Sequence, residues 1–571
     1  MEKRALIALA LSFLVFVVFI YFGNKMKYPV APAPSTPPPA ARPQAPVKAP
    51  APAPPPPPAA VVPPTAALPP PVPPPPSRPG KDVVVNTPLY RAVFTELGAR
   101  LKSFQLKKYK SGMPIAPIYE FKLSFFSFEL ERYLSPEQAK IGPKNLVREA
   151  SSHELPLAMS WQGKTFSVPG MELCKASASS LNLKAGEKGT LKFTCVSHQG
   201  LTFVKTFTFK ADSYGFDLAV QVTNYTKRPL DGQLNLDLSE NFAGEEASRF
   251  HFLGFNGSIN NKLEELKSGS LKEPKTFTGK VDWAGLDDGY FLTAMVPESA
   301  KAWVTLSEPP KAPMVASLRA PVEGLQPGHT TQVSYLLYFG PKNISDLNPL
   351  GLARAVNFGW FDFLGKPLLF VLNWLDRYCG NYGWAIIVLT ILLRIVFWWP
   401  NHKSYKSMKD MQKLQPKVAK IREKYKDDRE AMNKELMALY RTFKVNPMAG
   451  CLPMLLQLPV FIALYNVLGY AIELRHTPFI PTLPFTHIVW LADLSAKDPL
   501  LITPLVMGAT MFIQQKMTPS AGDPTQAKMM MFLPVVFTFL FLNFASGLVI
   551  YWLVNNILSI AQQYYTNKYL T

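Results

Sequence analysis

The sequence predicts a polytopic α-helical membrane protein of six spans that carries a large antiparallel β-sandwich on its exported side. Three observations lead there. Of 571 residues, 48% are hydrophobic and only 18% charged, against about 25% charged in an average soluble domain. The apolar residues gather into long runs near the start and beyond residue 347, whereas residues 82–342 alternate apolar and polar side chains at the period of half-buried strands. Of the 56 prolines, 25 fall between Pro29 and Pro79, so the excess marks a local spacer and not a fibrous repeat. Four cysteines are too few for a disulfide scaffold, and none is spaced as the CxxC of a zinc or redox site.

Residues 5–22 form an uncharged, mostly apolar run behind Lys3 and Arg4, long enough to cross a bilayer. The run exceeds a usual signal-peptide core, and Tyr21, Phe22, Gly23, Asn24 and Lys25 offer no small-x-small cleavage site. Residues 1–27 therefore read as an uncleaved transmembrane anchor, its N-terminus held in the cytoplasm by the positive-inside rule. Residues 28–81 lack the large apolar side chains needed for a core and read as an extended Pro/Ala-rich tether.

Residues 82–345 read as the sandwich. Leu201, Phe203, Phe207 and Phe209 alternate with other side chains, as do Phe216, Leu218, Val220 and Val222, then Leu234, Leu236 and Leu238. Catalytic motifs fail on inspection. Gly163, Lys164 and Thr165 end like a phosphate loop, but Ala158 stands where its first glycine belongs; His153 and Glu154 open like a zincin pair, but Leu157 replaces the second histidine. Carbohydrate binding or processing stays open, since cooperating carboxylates need not be neighbours in sequence. For Cys174 and Cys195 two readings stand: a disulfide closing a loop of about 20 residues, or two buried thiols.

Residues 346–382 mix Trp360, Phe363, Leu368, Phe370 and Trp374 with Asp362, Lys366, Asp376 and Arg377, the pattern of an amphipathic helix lying in the interface. Residues 383–400 are the second span, and residues 448–571 hold spans three to six, the last two separated at Asn543 to Gly547. Between them, residues 401–447 form a helical hairpin. From Pro400 to Pro447 there are 13 Lys or Arg and 6 Asp or Glu, which places this loop in the cytoplasm. Six spans then put both termini inside and the β domain outside. The hairpin is either a solvated charged arm or a docking surface for ribosomal RNA, anionic lipid or a partner. Within the second span stands Arg394, a charge that faces either a hydrated recess or the cytoplasmic interface, by snorkelling past Pro400.

Arg394, the hairpin residues Leu414, Gln415, Pro416 and Lys417, then Asn446, Pro447, Gly450, Cys451, Pro453, Gln457 and Pro459, and finally Ser546, Gly547, Leu548 and Tyr551 resemble the YidC/Oxa family of membrane protein insertases. The order of anchor, linker, exported domain, interfacial helix and five-span insertase core resembles its Gram-negative type. The resemblance implies a bacterial inner-membrane insertase and chaperone, acting alone or with the Sec translocon, with no enzymatic activity, cofactor or metal. Its implied partners are nascent membrane proteins, the ribosome and signal recognition particle pathway, and membrane lipids. It further implies a hydrophilic groove, closed on the exported side, lined by Arg394, Thr390, Gln457, Leu458, Phe461, Gly547, Tyr551 and Trp552, and cytoplasmic partner contacts at Asp427 and Asp428. No long basic tail follows Asn567 and Lys568, so ribosome contact through the C-terminus is not expected. Two other classes compete: a secondary transporter with Arg394 as counter-ion, which the lack of an internal repeat disfavours, and a membrane-tethered periplasmic carbohydrate-binding scaffold.

Overall fold

The computed structural model describes residues 80–569 apart from 113–114, 124–125, 134–140, 149–153, 243–251, 300, 311, 427, 444, 446–451, 487 and 518–523. The expected anchor, the proline tract up to Pro79, and Asp427 lie outside the described residues.

Strands occupy Asp82 to Pro341 in three main sheets. A nine-stranded sheet runs, in spatial order, through Lys262–Lys267, Gly254–Ile259, Val281–Asp287, Phe291–Pro297, Thr330–Pro341, Gly215–Asn224, Leu201–Lys210, Lys188–Val196 and Cys174–Ala176. A six-stranded sheet centred on Met314–Leu325 and Leu230–Glu240 packs on one half of it, with both strands against Val281–Asp287. A five-stranded sheet built on Tyr90–Thr95 and Arg100–Lys110 covers the other half, where Phe94 meets Phe207 at 4.9 Å and Phe104 meets Phe339 at 5.3 Å between ring centroids. The predicted alternation sets this core: Phe203, Phe207, Phe209, Phe216, Leu218, Val220, Val222, Leu234, Leu236 and Leu238 are all buried, because one face of each strand is removed from water. One pairing departs from the antiparallel expectation. Asp82–Asn86 lies parallel to Ser180–Asn182, with Val84 opposite Ser180; a long excursion separates the two strands, so a hairpin does not force their direction.

Cys174 and Cys195 face each other across an antiparallel pair and form a disulfide. Position 205 breaks the apolar rule. Lys205 points into the core between Phe203 and Phe207, and its Nζ donates to the carbonyls of Gly98 (2.8 Å), Leu157 (2.9 Å) and Ala99 (3.2 Å). Gly98, Ala99 and Leu157 adopt left-handed backbone conformations, and the carbonyls of these turns are satisfied by Lys205 instead of a ladder. Burial pushes its pKa down to about 7.

The helices follow: α1 Asp362–Cys379, α2 Tyr382–Val396, α3 Trp398–Lys413, α4 Gln415–Lys424, α5 Arg429–Thr442, α6 Leu452–Tyr470, α7 Ile502–Met517, α8 Pro524–Phe541 and α9 Ser546–Tyr569. On α1 the residues Leu369, Leu372 and Leu375 are buried while Phe363, Phe370, Trp374 and Tyr378 are exposed. Among the described residues no single helix is long and apolar enough to cross a membrane alone; α2 and α3 pass together, bent by 63°. The reason is legible in α9, which is 24 residues long but carries Asn555, Asn556, Ser559, Gln562 and Gln563 along its length. The β domain rests on the helices through Tyr290, whose hydroxyl donates to Gly469 O (3.3 Å), and through Arg475, which donates to Lys110 O (3.1 Å).

Candidate functional site

Helix α2 is positioned at its first turn by Asn381. Its side-chain oxygen accepts from Gly383 N at 2.8 Å, capping the helix, while its amide donates to Phe479 O at 3.1 Å. From there Gly383, Ile386, Thr390 and Arg394 recur at three- and four-residue spacing and are buried, whereas Trp384, Ile391, Leu392, Ile395 and Val396 are exposed. Arg394 thus lies on the face that packs against other helices and not on the apolar outer face.

The recess is a small, partly open pocket. Leu393, Arg394, Phe397 and Asn401 line it from α2 and α3, Gln457 from α6, and Tyr551 and Asn555 from α9. One guanidinium nitrogen of Arg394, Nη2, donates to the backbone carbonyl of Asn555 at 3.2 Å, and the hydroxyl of Tyr405 hydrogen-bonds the same side chain. Its Nε is buried without a hydrogen-bond partner. Gln457 donates to the hydroxyl of Tyr551 at 3.3 Å. Among the described residues the lining contains a cation, amides and a phenol but no carboxylate, so an anionic or amide-rich guest is what it can bind with charge-assisted hydrogen bonds.

The predicted site residues do not all meet there. Arg394, Gln457 and Tyr551 do. Thr390 is fully buried, gives its hydroxyl to Ile386 O at 2.6 Å within its own helix, and does not line the recess. Phe461 and Trp552 pack edge to face on each other at 4.7 Å, and Trp552 packs on Phe541 at 5.2 Å. They form an aromatic wedge between α6, α8 and α9. Leu458 is 42% exposed and offers an apolar surface beside Gln457. Gly547 sits at the start of α9 under the carbonyl of Leu494, away from the lining. Asp428 caps α5 by accepting from Glu430 N and Ala431 N at 3.1 and 3.0 Å.

Sequence reasoning missed Tyr405 as a hydrogen-bond partner of Arg394 and Asn401 as a residue of the recess lining. A signal existed: Arg394, Phe397, Asn401 and Tyr405 continue one helical face through the bend, and Tyr551, Asn555, Ser559 and Gln562 form a second, almost wholly buried, polar face. Gln562 donates to Trp398 O and Gln563 to Met517 O, at 3.3 and 2.9 Å, which joins α9 to α3 and α7 by hydrogen bonds rather than by apolar packing alone.

Comparison with known proteins gives these helices a family. The model of the 60Kd inner membrane protein matches residues 374–571, and that of the YidC periplasmic domain matches residues 124–371. The membrane protein insertase YidC of Nitratidesulfovibrio vulgaris is 42% identical over 573 residues, covering 99% of both chains. The chain belongs to the YidC family of membrane protein insertases. The YidC of Syntrophus aciditrophicus is 40% identical over 579 residues and 100% of each chain. Among solved structures, an active YidC insertase with its first transmembrane domain resolved covers 86% of this chain and 93% of its own, at 18% identity and a TM-score of 0.35. As a YidC protein this is an inner-membrane protein whose β-rich part is the periplasmic domain.

Proposed function

We propose that the insertase activity of this YidC protein runs through the recess around Arg394. The observation that carries the reading is a guanidinium on the helix-facing side of α2, next to open space, with a buried Nε that no described protein group satisfies and no carboxylate among the described lining residues to neutralise it. An incoming polar tail with acidic or amide groups replaces its lost water contacts there, which lowers the cost of taking it into the bilayer. The attached apolar segment passes along Leu458 and the exposed outer face of α2. Its burial in lipid, at about 25 cal/mol per Å² over about 20 residues, supplies the driving force without nucleotide hydrolysis.

The accompanying topology has six spans, formed by the N-terminal anchor, α2, α6, α7, α8 and α9, with α1 in the periplasmic interface and both termini cytoplasmic. The hairpin α3–α5 then faces the cytoplasm, where its basic excess suits ribosomal RNA, the signal recognition particle pathway and anionic lipid. Cooperation with the Sec translocon belongs to the same reading, as do Asp427 and Asp428 as cytoplasmic contacts. A photo-crosslinker placed at Asn401, Gln457, Leu458 or Asn555 is expected to capture a stalled single-span nascent chain, and one at Thr390 is not. Capture at Thr390 with none at the four lining positions would refute the route.

A further inference from the structure

The recess is bounded on its exported side by structure that the family comparison does not assign. The first two amides of α9 have no intrahelical partner and carry no side-chain cap. They are satisfied by the loop that precedes α7: Ser546 N donates to Ala496 O at 2.7 Å, and Gly547 N to Leu494 O at 2.9 Å. The Ser546 hydroxyl adds a bond to Asp493 O at 3.0 Å, and Lys497 pairs with Ala545 as an antiparallel bridge. Leu494 and Ser546 are fully buried, and Leu494 N is fixed to Thr477 O at 3.0 Å. A β-carbon on Gly547 would lie 3.1 Å from Leu494 O and 3.3 Å from Ile386 on α2. Loop, α2 and α9 therefore close on one another about one helical turn, roughly 6 Å, beyond Tyr551 in the recess wall.

One side chain holds this loop. Asp498 is fully buried; Oδ1 accepts from Trp490 Nε1 (2.8 Å) and Leu500 N (3.0 Å), and Oδ2 accepts from Thr503 N (2.7 Å) and Thr503 Oγ1 (2.8 Å). Four bonds converge on a carboxylate that is not part of the recess lining. Next to it Leu501 is held at φ 58°, a conformation that a branched residue adopts only where its surroundings over-determine it.

We propose that the exported loop of residues 492–501 is the plug that closes the outer end of the recess, with Asp498 as its positioning residue. The proposal rests on the insertase reading of the recess. An insertase with a hydrated cavity halfway across a membrane must keep that cavity from joining the exported compartment, or ions follow the client. Two loop carbonyls seated on the N-terminal amides of α9 provide that closure, since buried polar groups that satisfy each other leave no path for water. The plug also accounts for Gly547 as the seat of the Leu494 carbonyl rather than as a client contact.

The test uses the full chain in liposomes loaded with a pH-sensitive dye, under a potassium diffusion potential, with client insertion measured in parallel. Asp498→Asn removes one charged acceptor at nearly constant volume and is expected to raise proton flux severalfold over wild type while clients still insert. Gly547→Ala, which presses directly on the Leu494 carbonyl, is expected to leak as well, independently of Asp498. Adding Lys497→Cys with Ala545→Cys to the Asp498→Asn chain staples the bridge, whose partners lie within disulfide reach; oxidation should return the flux to wild type and a reductant should restore the leak. Wild-type flux in both single variants, or a leak that the oxidised staple leaves unchanged, would overturn the plug. So would lost insertion without a leak. A wild-type chain that seals the liposomes but inserts no client defeats the insertase reading instead, so the two failures are distinguishable.

Discussion

Removing the charge at position 394 should separate clients by the chemistry of their tails. Arg394 donates from Nη2 to Asn555 O, shares a hydrogen bond with Tyr405, and leaves Nε buried and unpartnered beside open space. A client carboxylate entering that space gains a charge-assisted hydrogen bond worth about 1.5–3 kcal/mol. At 1.4 kcal/mol per factor of ten, Arg394→Met should slow insertion of a single-span client with an acidic tail by about 10- to 100-fold. The same client with a neutral amide tail should change far less. Arg394→Lys should fall between, since an ammonium keeps the charge but loses the planar fork that reaches two acceptors at once. The assay is protease protection of the two clients in liposomes containing purified protein, at limiting insertase, with the variant's trypsin fragments matched to wild type as a check on folding. Equal loss for both tails would show that Arg394 serves packing alone, and no loss for either would remove the recess from the route.

Other expectations follow from the periplasmic domain and the hairpin α3–α5. Lys205 has a pKa near 7 in the folded chain against 10.5 in the unfolded one. Above pH 7 the unfolded state therefore binds more protons, and stability should rise with pH up to about 9.5 at a slope of at most about 1.4 kcal/mol per unit. Lys205→Met should flatten that slope in urea unfolding followed by pulse proteolysis, and parallel pH profiles would contradict it. Cys174→Ser with Cys195→Ser should destabilise the domain by about 3 kcal/mol, because the bond closes a 21-residue separation; an unchanged urea midpoint would count against this. Asp428→Ala removes an N-cap and should cost α5 about 1 kcal/mol, read as faster amide exchange over residues 429–433. Unchanged exchange there, with lost client insertion, would instead favour Asp428 as a partner contact.

Much of this fold is written along the chain. Alternation at Phe203, Phe207, Leu218 and Leu234 marks inward strand faces, and the break at Asn543 to Gly547 separates α8 from α9, because both signals depend only on local period and turn chemistry. The family is equally local, carried by residues from Arg394 to Tyr551 in their order. Harder to read were residues whose meaning depends on a distant partner. Lys205 looks like a fault in an apolar strand until the carbonyls of Gly98, Ala99 and Leu157 surround it. That Phe461 and Trp552 pack on each other is likewise visible only in the folded chain.

The sequence by itself determined that an arginine stands within an apolar segment, that a periplasmic β domain precedes it, and that a basic hairpin follows. Each is a statement about composition and period over a short window, which the chain carries before it folds. Only the tertiary structure decided which groups share a site. It brought Asn401, Gln457 and Asn555 to Arg394, left Thr390 bonded within its own helix, and laid the loop before α7 over Gly547. Helical period fixes the side on which a residue is buried, but the neighbour it meets there depends on how separate helices pack, and no local pattern encodes that.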